Sequence, residues 1–542
     1  MTPRKPMAAG PVEFVPRTDS PKTSRFYARA ASLHMSGKSE EALRELQRAI
    51  AKGETTAEIY SAMAQIQFEL GQFEGAVNSY REFGELDPKN ANGWFYLGLC
   101  LEKMGHWQEA SDNFQKALEV NPERTDAFLG LGIAHLHLKQ SRVALNAFER
   151  CLAFDPDNET AEFGKAVALQ IEGRYDDASE LYKKVLKRDA AHEDALANLV
   201  SLGMAKRDWD TVRLYAEKLL DAKPGSPAAL EGLAAWGAAR GDYDLTAKFC
   251  TLLVDAVPDH YEGWFNLALA HQKANRMQQA SDAYLEAIKV KPNSAQAYTN
   301  LGIVRQELGA LKEAREAYQQ AVKHDPGATN ALWNLALVLE QSGDQDEAEK
   351  AYQKVLDKDG DNAEARFRLG YVRMQKADYR GSAEAFEGCL KKRKDWIEAQ
   401  MNLGLAYWKM GDRELAQLAY EQALNSDPKS LEALRGLAAL ALERSDMEQA
   451  LEYHGRLIDL GERSPELLYN TALLLQKSGQ SDEAVRLYKE ALSENPEFAE
   501  ALVNLGHVLK SLGREDEARS CWSRALESKP ELARGYFEPV KA

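Results

Sequence analysis

One pattern of small and large apolar residues returns every 34 residues along this sequence. The pattern is clearest between residues 295 and 328, where it consists of Tyr298, Leu301, Gly302, Gly309, Ala314, Tyr318, Ala321 and Pro326. A chain built from such copies grows by adding units and has no single core to saturate. Its length of 542 residues therefore does not imply several globular domains.

From Thr23 onward the period holds without an insertion and gives fifteen consecutive repeats. We number them 1 to 15 in chain order: 23–56, 57–90, 91–124, 125–158, 159–192, 193–226, 227–260, 261–294, 295–328, 329–362, 363–396, 397–430, 431–464, 465–498 and 499–532. The pattern resembles the signature of the tetratricopeptide repeat, and the resemblance covers about nine-tenths of the chain.

The resemblance implies an all-α fold, a right-handed α-solenoid superhelix of 15 tandem helix-turn-helix units. Within each repeat we predict helix A at positions 2–14 and helix B at positions 16–28. Glycine at position 15 would end helix A, since it adopts a positive φ at little cost, and proline at position 32 would end helix B. Small polar residues at position 34 would cap the next helix A: Thr56, Asn90, Asn158, Ser226, Ser294, Asn362, Ser430 and Ser464.

Two regions depart from the pattern. In repeats 6 and 7 the bulky residue moves from position 24 to position 27, as Leu219 and Leu253 show. This change indicates either a joint in the stack or an exchange of volume that the core tolerates. Outside the repeats, residues 1–22 form a proline-rich segment that we predict to be a flexible arm, and residues 533–542 are a short tail. A repeat array needs a polar cap on its last face, so a short tail predicts self-association, a homo-oligomer through the C-terminal end.

Composition restricts the classes of partner. The net charge of −16 argues against nucleic-acid binding, which requires a basic face. No segment is apolar enough over enough residues to span a membrane, and the N-terminus lacks the apolar core of a secretory signal. Five cysteines without metal-binding spacing, among them Cys151 and Cys389 at a small core position, predict no disulfide framework. We therefore expect a cytoplasmic protein.

No catalytic motif is recognisable in the sequence. Gly37, Lys38 and Ser39 end like a phosphate-binding loop, but Ser32 stands where that loop needs a glycine. His135 and His137 are two residues apart, which on a helix points them away from each other. We predict that the chain is not an enzyme and takes no cofactor or metal.

The predicted binding surface is the concave face of the superhelix, which helix A lines in proteins that this pattern resembles. Position 6 is asparagine in seven repeats: Asn198, Asn266, Asn300, Asn334, Asn402, Asn470 and Asn504. An asparagine side chain carries both a donor and an acceptor, so it can pair with a peptide backbone whatever the side chains of that peptide. The arrangement is similar to the asparagine ladder of O-linked N-acetylglucosamine transferases, although no glycosyltransferase domain follows. The alternative is that asparagine at this position is idle.

Aromatic residues extend this candidate peptide-binding groove: Phe265, Trp333, Phe367 and Tyr371. Part of this apolar surface must be ordinary packing between helices, and Trp333 and Phe367 are our candidates for the centre of the groove. Residues 391–394 form a basic run, which suits either the end of a helix dipole or docking of an acidic partner.

The sequence thus predicts a non-catalytic scaffold that binds an extended or helical segment of a partner protein. The alternative is a substrate-recognition subunit for a separately encoded modifying enzyme such as a protein glycosyltransferase.

Overall fold

The structure, a computed structural model, describes residues 25–533. The predicted arm, residues 1–22, and residues 534–542 of the predicted tail lie outside the described residues. The described chain consists of thirty α-helices and a short final 3-10 helix, with no strand among them. The all-α fold class is confirmed. The chain divides into two compact halves, residues 1–270 and 271–542, and the division falls within one helix of repeat 8.

In the N-terminal half the helices are α1 (Arg25–Met35), α2 (Ser39–Ala51), α3 (Ala57–Glu69), α4 (Phe73–Leu86), α5 (Ala91–Lys103), α6 (Trp107–Val120), α7 (Thr125–His137), α8 (Ser141–Phe154), α9 (Glu159–Ile171), α10 (Tyr175–Arg188), α11 (Glu193–Lys206), α12 (Trp209–Ala222), α13 (Pro227–Ala239) and α14 (Tyr243–Ala256). Helix α15 (Tyr261–Lys273) contains the division.

In the C-terminal half they are α16 (Met277–Val290), α17 (Ala295–Glu307), α18 (Leu311–His324), α19 (Thr329–Gln341), α20 (Gln345–Lys358), α21 (Ala363–Gln375), α22 (Tyr379–Leu390), α23 (Ile397–Met410), α24 (Arg413–Ser426), α25 (Leu431–Glu443), α26 (Met447–Asp459), α27 (Pro465–Lys477), α28 (Ser481–Glu494), α29 (Ala499–Ser511) and α30 (Glu515–Ser528), followed by the 3-10 helix Pro530–Ala533.

Odd-numbered helices correspond to helix A of the repeats and even-numbered helices to helix B. Within each half consecutive helices pack on each other, from α1 to α14 in the N-terminal half and from α16 to α30 in the C-terminal half. Successive A helices also contact each other, for example α5 with α7 and α11 with α13 in the N-terminal half, and α17 with α19 in the C-terminal half. In each half the A helices of neighbouring repeats therefore lie closer together than the B helices do.

The helix boundaries differ slightly from the sequence prediction. In most repeats helix A occupies positions 1–13 and helix B positions 17–30, so helix B begins one residue later and ends two residues later than predicted. The later start has a local cause, because the residue at position 16 acts as the N-cap of helix B. The carboxylates of Asp208, Asp242, Asp378 and Asp446 accept hydrogen bonds from backbone N–H groups three residues later. The later end arises because proline at position 32 restricts only itself and the residue before it.

The predicted caps of helix A are mostly confirmed. Side chains of Asn90, Asn158, Ser294, Asn362, Ser430 and Ser464 accept hydrogen bonds from N–H groups of the following helix. Thr56 and Ser226 make no such bond, so the prediction is wrong there. Two further caps were not predicted: Nδ1 of His192 accepts from the N–H of Ala195, and Nδ1 of His260 accepts from the N–H of Gly263.

Aromatic rings at position 24 form the core of most repeats. Tyr182, Tyr284, Tyr318, Tyr352, Tyr488, Phe114, Phe148 and Phe386 are fully buried. Glycine at position 8 makes room for them: a Cβ on Gly302 would lie 2.5 Å from Cε1 of Tyr318. In repeats 6 and 7, where the ring is missing, Leu219 and Leu253 are buried in compensation. The small core residues Cys151 and Cys389 are also fully buried, and burial raises the pKa of both thiols to about 11.

The turn at position 15 has a left-handed backbone in every repeat of the described chain. Ten repeats have glycine there, with φ between 71° and 87°. The other five have Lys139, Arg207, Asn275, Ala377 and Ser445, with φ between 55° and 60°. The turn thus adopts the left-handed conformation even where the sequence supplies no glycine.

Ala377→Gly is therefore expected to stabilise the C-terminal half by about 1 kcal/mol. A residue with a Cβ costs roughly 1–2 kcal/mol in the left-handed region, and glycine avoids this cost. Part of the gain is lost because glycine increases the conformational entropy of the unfolded chain. Urea unfolding and amide hydrogen exchange in α21 and α22 measure the change. The inverse control is Gly411→Ala, at the same position of the next repeat, where φ is 87° and an added Cβ would meet no atom. It should lower stability by a similar amount, and equal stability of both variants with the wild type would contradict the argument.

A buried histidine replaces the aromatic ring in repeat 13. His454 is 5% exposed, and its Nδ1 lies 3.0 Å from Oγ1 of Thr471. The hydroxyl of Thr471 donates its hydrogen to the carbonyl oxygen of Leu467 at 2.7 Å. Nδ1 of His454 must therefore carry the hydrogen in the bond to this hydroxyl, and the neutral imidazole ring can supply it. Burial lowers the pKa of His454, and the negative charge of Glu462 opposes this only in part.

The stability of the C-terminal half should consequently depend on pH. With its pKa lowered in the folded state, His454 takes up a proton more readily in the unfolded chain. The contribution of the neutral, buried His454 to stability is fully present above the unfolded pKa of about 6.5, and it is lost as the pH drops from there towards the folded pKa. His454→Phe should remove this part of the dependence, measured by urea unfolding at a series of pH values. An unchanged pH profile in the variant would show that other groups are responsible.

Candidate peptide-binding site

The position-6 asparagines all lie on A helices. Asn198 and Asn266 belong to the N-terminal half and the other five to the C-terminal half. Asn266 and Asn470 are exposed, whereas Asn198, Asn300, Asn334, Asn402 and Asn504 are half-buried. Each half-buried side chain therefore contacts the protein on one side and solvent on the other.

Buried tyrosine hydroxyls lie beneath these asparagines. The hydroxyl at position 24 donates to a side-chain oxygen at position 12 of its own repeat: Tyr182 to Gln170 at 2.9 Å, Tyr284 to Gln272 at 3.0 Å, Tyr318 to Gln306 at 3.1 Å, Tyr352 to Glu340 at 2.5 Å and Tyr488 to Gln476 at 2.9 Å. Burial raises the pKa of the hydroxyls of Tyr182, Tyr318, Tyr352 and Tyr488, so these four stay protonated donors. A hydroxyl oxygen that donates its own hydrogen can still accept a hydrogen bond from another donor.

In one repeat such a donor is an asparagine of the next repeat: Nδ2 of Asn300 donates to the hydroxyl of Tyr284 at 3.2 Å. At Tyr182, Asn198 favours the ionised hydroxyl and so opposes part of the rise in pKa that burial causes. The periodic spacing of tyrosine, glutamine and asparagine was the signal for this network, but the sequence alone does not show that the three meet.

Two other asparagines find different acceptors. Nδ2 of Asn402 donates to the carbonyl oxygen of Glu398 at 2.8 Å, and Nδ2 of Asn504 donates to the hydroxyl of Tyr469 at 2.9 Å. In Asn300, Asn402 and Asn504 the protein thus uses one N–H of the amide, and no hydrogen bond within residues 25–533 uses Oδ1. Each amide keeps its oxygen and a second N–H, which are the two groups that a peptide backbone needs.

An arginine interrupts the series in repeat 11. Arg368 occupies position 6, with Nη1 at 3.3 Å from Oε1 of Glu340 and Nε at 3.5 Å from Oε1 of Glu364. Glu340 also accepts a hydrogen bond from the hydroxyl of Tyr352. Arg368 is therefore linked through Glu340 to a buried position-24 tyrosine. Here the surface offers donors only.

The predicted aromatic residues belong largely to their own repeats. The ring of Trp333 lies 5.7 Å from that of Tyr352, and the ring of Phe367 lies 5.5 Å from Phe386 and stacks on Trp396 at 4.6 Å. Phe265 packs against Tyr261 at 5.8 Å. All three predicted rings at position 5 are half-buried, so much of their surface is core packing. Tyr371, at 39% exposure, is more open.

Between residues 25 and 533, no group of three or more His, Cys, Asp or Glu side chains could hold a metal ion. Among the described helices, none is both long enough and apolar enough to cross a membrane.

The helix pairs, their left-handed turns and the buried position-24 rings define a helical repeat protein. Sequence comparison gives the same result: a tetratricopeptide repeat model matches residues 140–195, 163–227, 265–329, 299–363, 334–395 and 401–465, which together cover more than half of the chain. Further tetratricopeptide repeat models match residues 475–535, 91–124 and 64–105. The chain belongs to the tetratricopeptide repeat family. Proteins with these repeats typically act as interaction scaffolds.

Several solved structures are similar in fold. YrrB, described as a TPR protein with an unusual peptide-binding site, is 21% identical over 35% of this chain and 97% of its own, with a TM-score of 0.33. The APC/C hetero-tetramer Cut9-Hcn1 is 16% identical over 85% of this chain and 98% of its own, with a TM-score of 0.32. Naa15/Naa10 bound to HypK-THB is 13% identical over 93% and 94%, also at 0.32. Identities and TM-scores this low carry no information about function. No curated protein matches the sequence.

Proposed function

We propose that this chain is a non-catalytic scaffold that binds an extended or helical segment of a partner protein along the exposed side of its A helices, in the assembly or regulation of a larger complex. The observation that supports this most directly is the state of the position-6 amides. In Asn300, Asn402 and Asn504 one N–H is bonded within the protein, which restrains the side chain, while Oδ1 is unused. Restrained amides bind with a smaller loss of side-chain entropy than free ones.

The contribution of each amide is modest. A hydrogen bond of this kind adds about 0.5–1.5 kcal/mol net, so no single asparagine can carry the binding. Three of them acting together would change the affinity on the order of tenfold to a thousandfold. Tyr371 and the half-exposed faces of Trp333 and Phe367 would add apolar contact beside the amides.

The test compares two triple variants of the C-terminal half in affinity capture, followed by measured dissociation constants for each captured protein. The first changes Asn300, Asn334 and Asn402 to alanine. The matched control changes Gln279, Gln319 and Gln320, which are exposed amides on B helices, to alanine. We expect a partner whose binding is weakened by the first set and not by the second. Equal binding to both variants and the wild type would refute the proposal.

The identity of the captured protein bears on the alternative. Stoichiometric co-purification of a separately encoded glycosyltransferase would favour a substrate-recognition subunit over a general scaffold. Turnover of a substrate by the purified chain alone would contradict the non-catalytic assignment.

Self-association through the C-terminal end and a cytoplasmic location remain predictions from the sequence. Sedimentation velocity of the full chain over a range of concentrations tests the first: a monomer at every concentration would rule it out. Imaging of the tagged chain in its own cells tests the second.

A further inference from the structure

In several repeats the side chain at position 4 donates a hydrogen bond to a backbone carbonyl oxygen in the segment that connects the preceding helix B to its own helix A. The indole Nε1 of Trp94 donates to the carbonyl oxygen of Pro88 at 3.1 Å, and that of Trp264 donates to Pro258 at 2.9 Å. Two successive repeats of the C-terminal half replace the large apolar residue with a polar one. Arg366 donates to the carbonyl oxygen of Gly360 at 2.5 Å. Gln400 donates through Nε2 to the carbonyl oxygen of Lys394 at 2.6 Å.

This substitution leaves a buried acceptor at Gln400. The residue is 3% exposed, and its Oε1 has no hydrogen-bond partner within the described chain. An amide flip does not resolve the problem, because it would place Oε1 against the carbonyl oxygen of Lys394. Buried acceptors without a donor are rare, and a ligand N–H is one way to satisfy them.

Gln400 lines a cavity of about 400 Å³ between repeats 11 and 12. The other lining residues are Leu390, Lys394, Gln422, Asn425 and Ser426. The lining therefore provides one cation, three amides and a hydroxyl, and it includes no carboxylate. This set of groups suits an anion that also carries an N–H donor.

The connection beside the cavity is basic. Helix α22 ends at Leu390, and residues 391–394 are four consecutive cations in a chain of net charge −16. Lys392 pairs with Asp361 at 2.9 Å, and the guanidinium of Arg393 lies 4.1 Å from the ring centre of Trp396. Lys391 and Lys394 are exposed and have no ion pair among the described residues. One cation in the cavity lining, Lys394, and one in the adjoining connection, Lys391, are thus available to a ligand.

We propose that this cavity binds an acidic segment of a partner protein, with a side-chain carboxylate on Lys394 and a backbone N–H on Oε1 of Gln400. Extended acidic peptide supplies both groups within one residue, and Lys391 attracts the neighbouring carboxylates. Gln400 lies at position 4 of an A helix, and the other residues belong to B helices and to the connection between repeats, so none of them is a position-6 amide. This site does not depend on the groove proposed above and can be occupied at the same time.

The test uses the full chain and a fluorescently labelled, end-blocked octapeptide of alternating glutamate and serine, followed by fluorescence anisotropy. Lys391→Ala combined with Lys394→Ala should weaken binding about tenfold and reduce its dependence on salt. Gln400→Leu, which places at position 4 the residue found there in Leu434, should also weaken binding while the protein remains folded. The control variant combines Lys187→Ala with Lys312→Ala, which removes two exposed lysines of other repeats and so changes the net charge by the same amount. This control variant should bind the peptide as the wild type does.

Three outcomes would overturn the proposal. The first is no saturable binding of the peptide to the wild type. The second is equal weakening by both pairs of lysine substitutions, which would mean that only the overall charge matters. The third is displacement of the peptide by inorganic phosphate at the same concentration at which the peptide itself binds, which would make the cavity a site for small anions.

Discussion

Phe148→Ala is expected to lower the free energy of unfolding of the region around repeats 4 and 5 by about 3–5 kcal/mol. Phe148 is fully buried on α8. Its ring lies against Gly132 of its own repeat and Gly164 of the next, where added Cβ atoms would lie 2.6 and 2.5 Å from the ring. The ring therefore fills space that two glycines leave open on two different A helices. Removing it leaves a cavity that backbone on both sides cannot close.

A repeat protein loses stability locally, so the measurement has to be local as well. Amide hydrogen exchange should accelerate in α7, α8 and α9, while α25 to α28 in the other half serve as an internal reference. The control is Val143→Ala on the same helix. The side chain of Val143 is 48% exposed. Substitutions at such surface positions usually change the free energy of unfolding by no more than about 0.5 kcal/mol. Similar exchange in both variants would show that the ring is not central to the packing.

A second large effect is expected at a buried carboxylate. Glu162 occupies position 4 of repeat 5, and its side chain is 3% exposed. It forms ion pairs with Nζ of Lys184 and with Nη1 of Arg188, the latter at 2.6 Å. The two cations are themselves partly exposed and lie on α10, so the carboxylate is the buried member of the cluster.

The double variant Lys184→Met, Arg188→Met should lower stability by about 3–5 kcal/mol, because it leaves the carboxylate buried and uncompensated. Removing the charge instead should be harmless. Leu196 and Leu332 stand at this position in other repeats, and Glu162→Leu is expected to cost little, because Lys184 and Arg188 are partly exposed and water can hydrate their charges once the carboxylate is gone. Adding Glu162→Leu to the double variant should restore most of the lost stability.

Urea unfolding and hydrogen exchange in α9 and α10 measure all three proteins. The informative quantity is the difference between the double and triple variants, because it isolates the cost of the unpaired carboxylate. A triple variant as unstable as the double one would show that the aliphatic stems of Lys184 and Arg188 stabilise the region, and not their charges.

The candidate site was only partly predictable. The sequence places the asparagines on helix A because the 34-residue period fixes their register relative to the buried rings. It does not reveal that Asn300 donates to Tyr284 or that Asn402 turns to the carbonyl of Glu398, because both have the same sequence position and differ only in what lies beside them. In the same way, Trp333 and Phe367 look like groove anchors in sequence, but their rings pack on Tyr352, Phe386 and Trp396 of their own repeats.

What the sequence determined by itself is the repeating helix pair. Its signals are local and recur along the fifteen repeats: glycine at position 15 in ten of them, proline at position 32 in ten, and in most a small residue that faces a ring. The tertiary structure decided features that depend on contacts between repeats. Ala377 adopts a left-handed backbone without being glycine because the helices on either side hold it there, and Gln400 keeps an unpaired oxygen because its amide is committed to Lys394. Periodicity fixes which positions are equivalent, whereas the neighbours in space decide how each side chain is used.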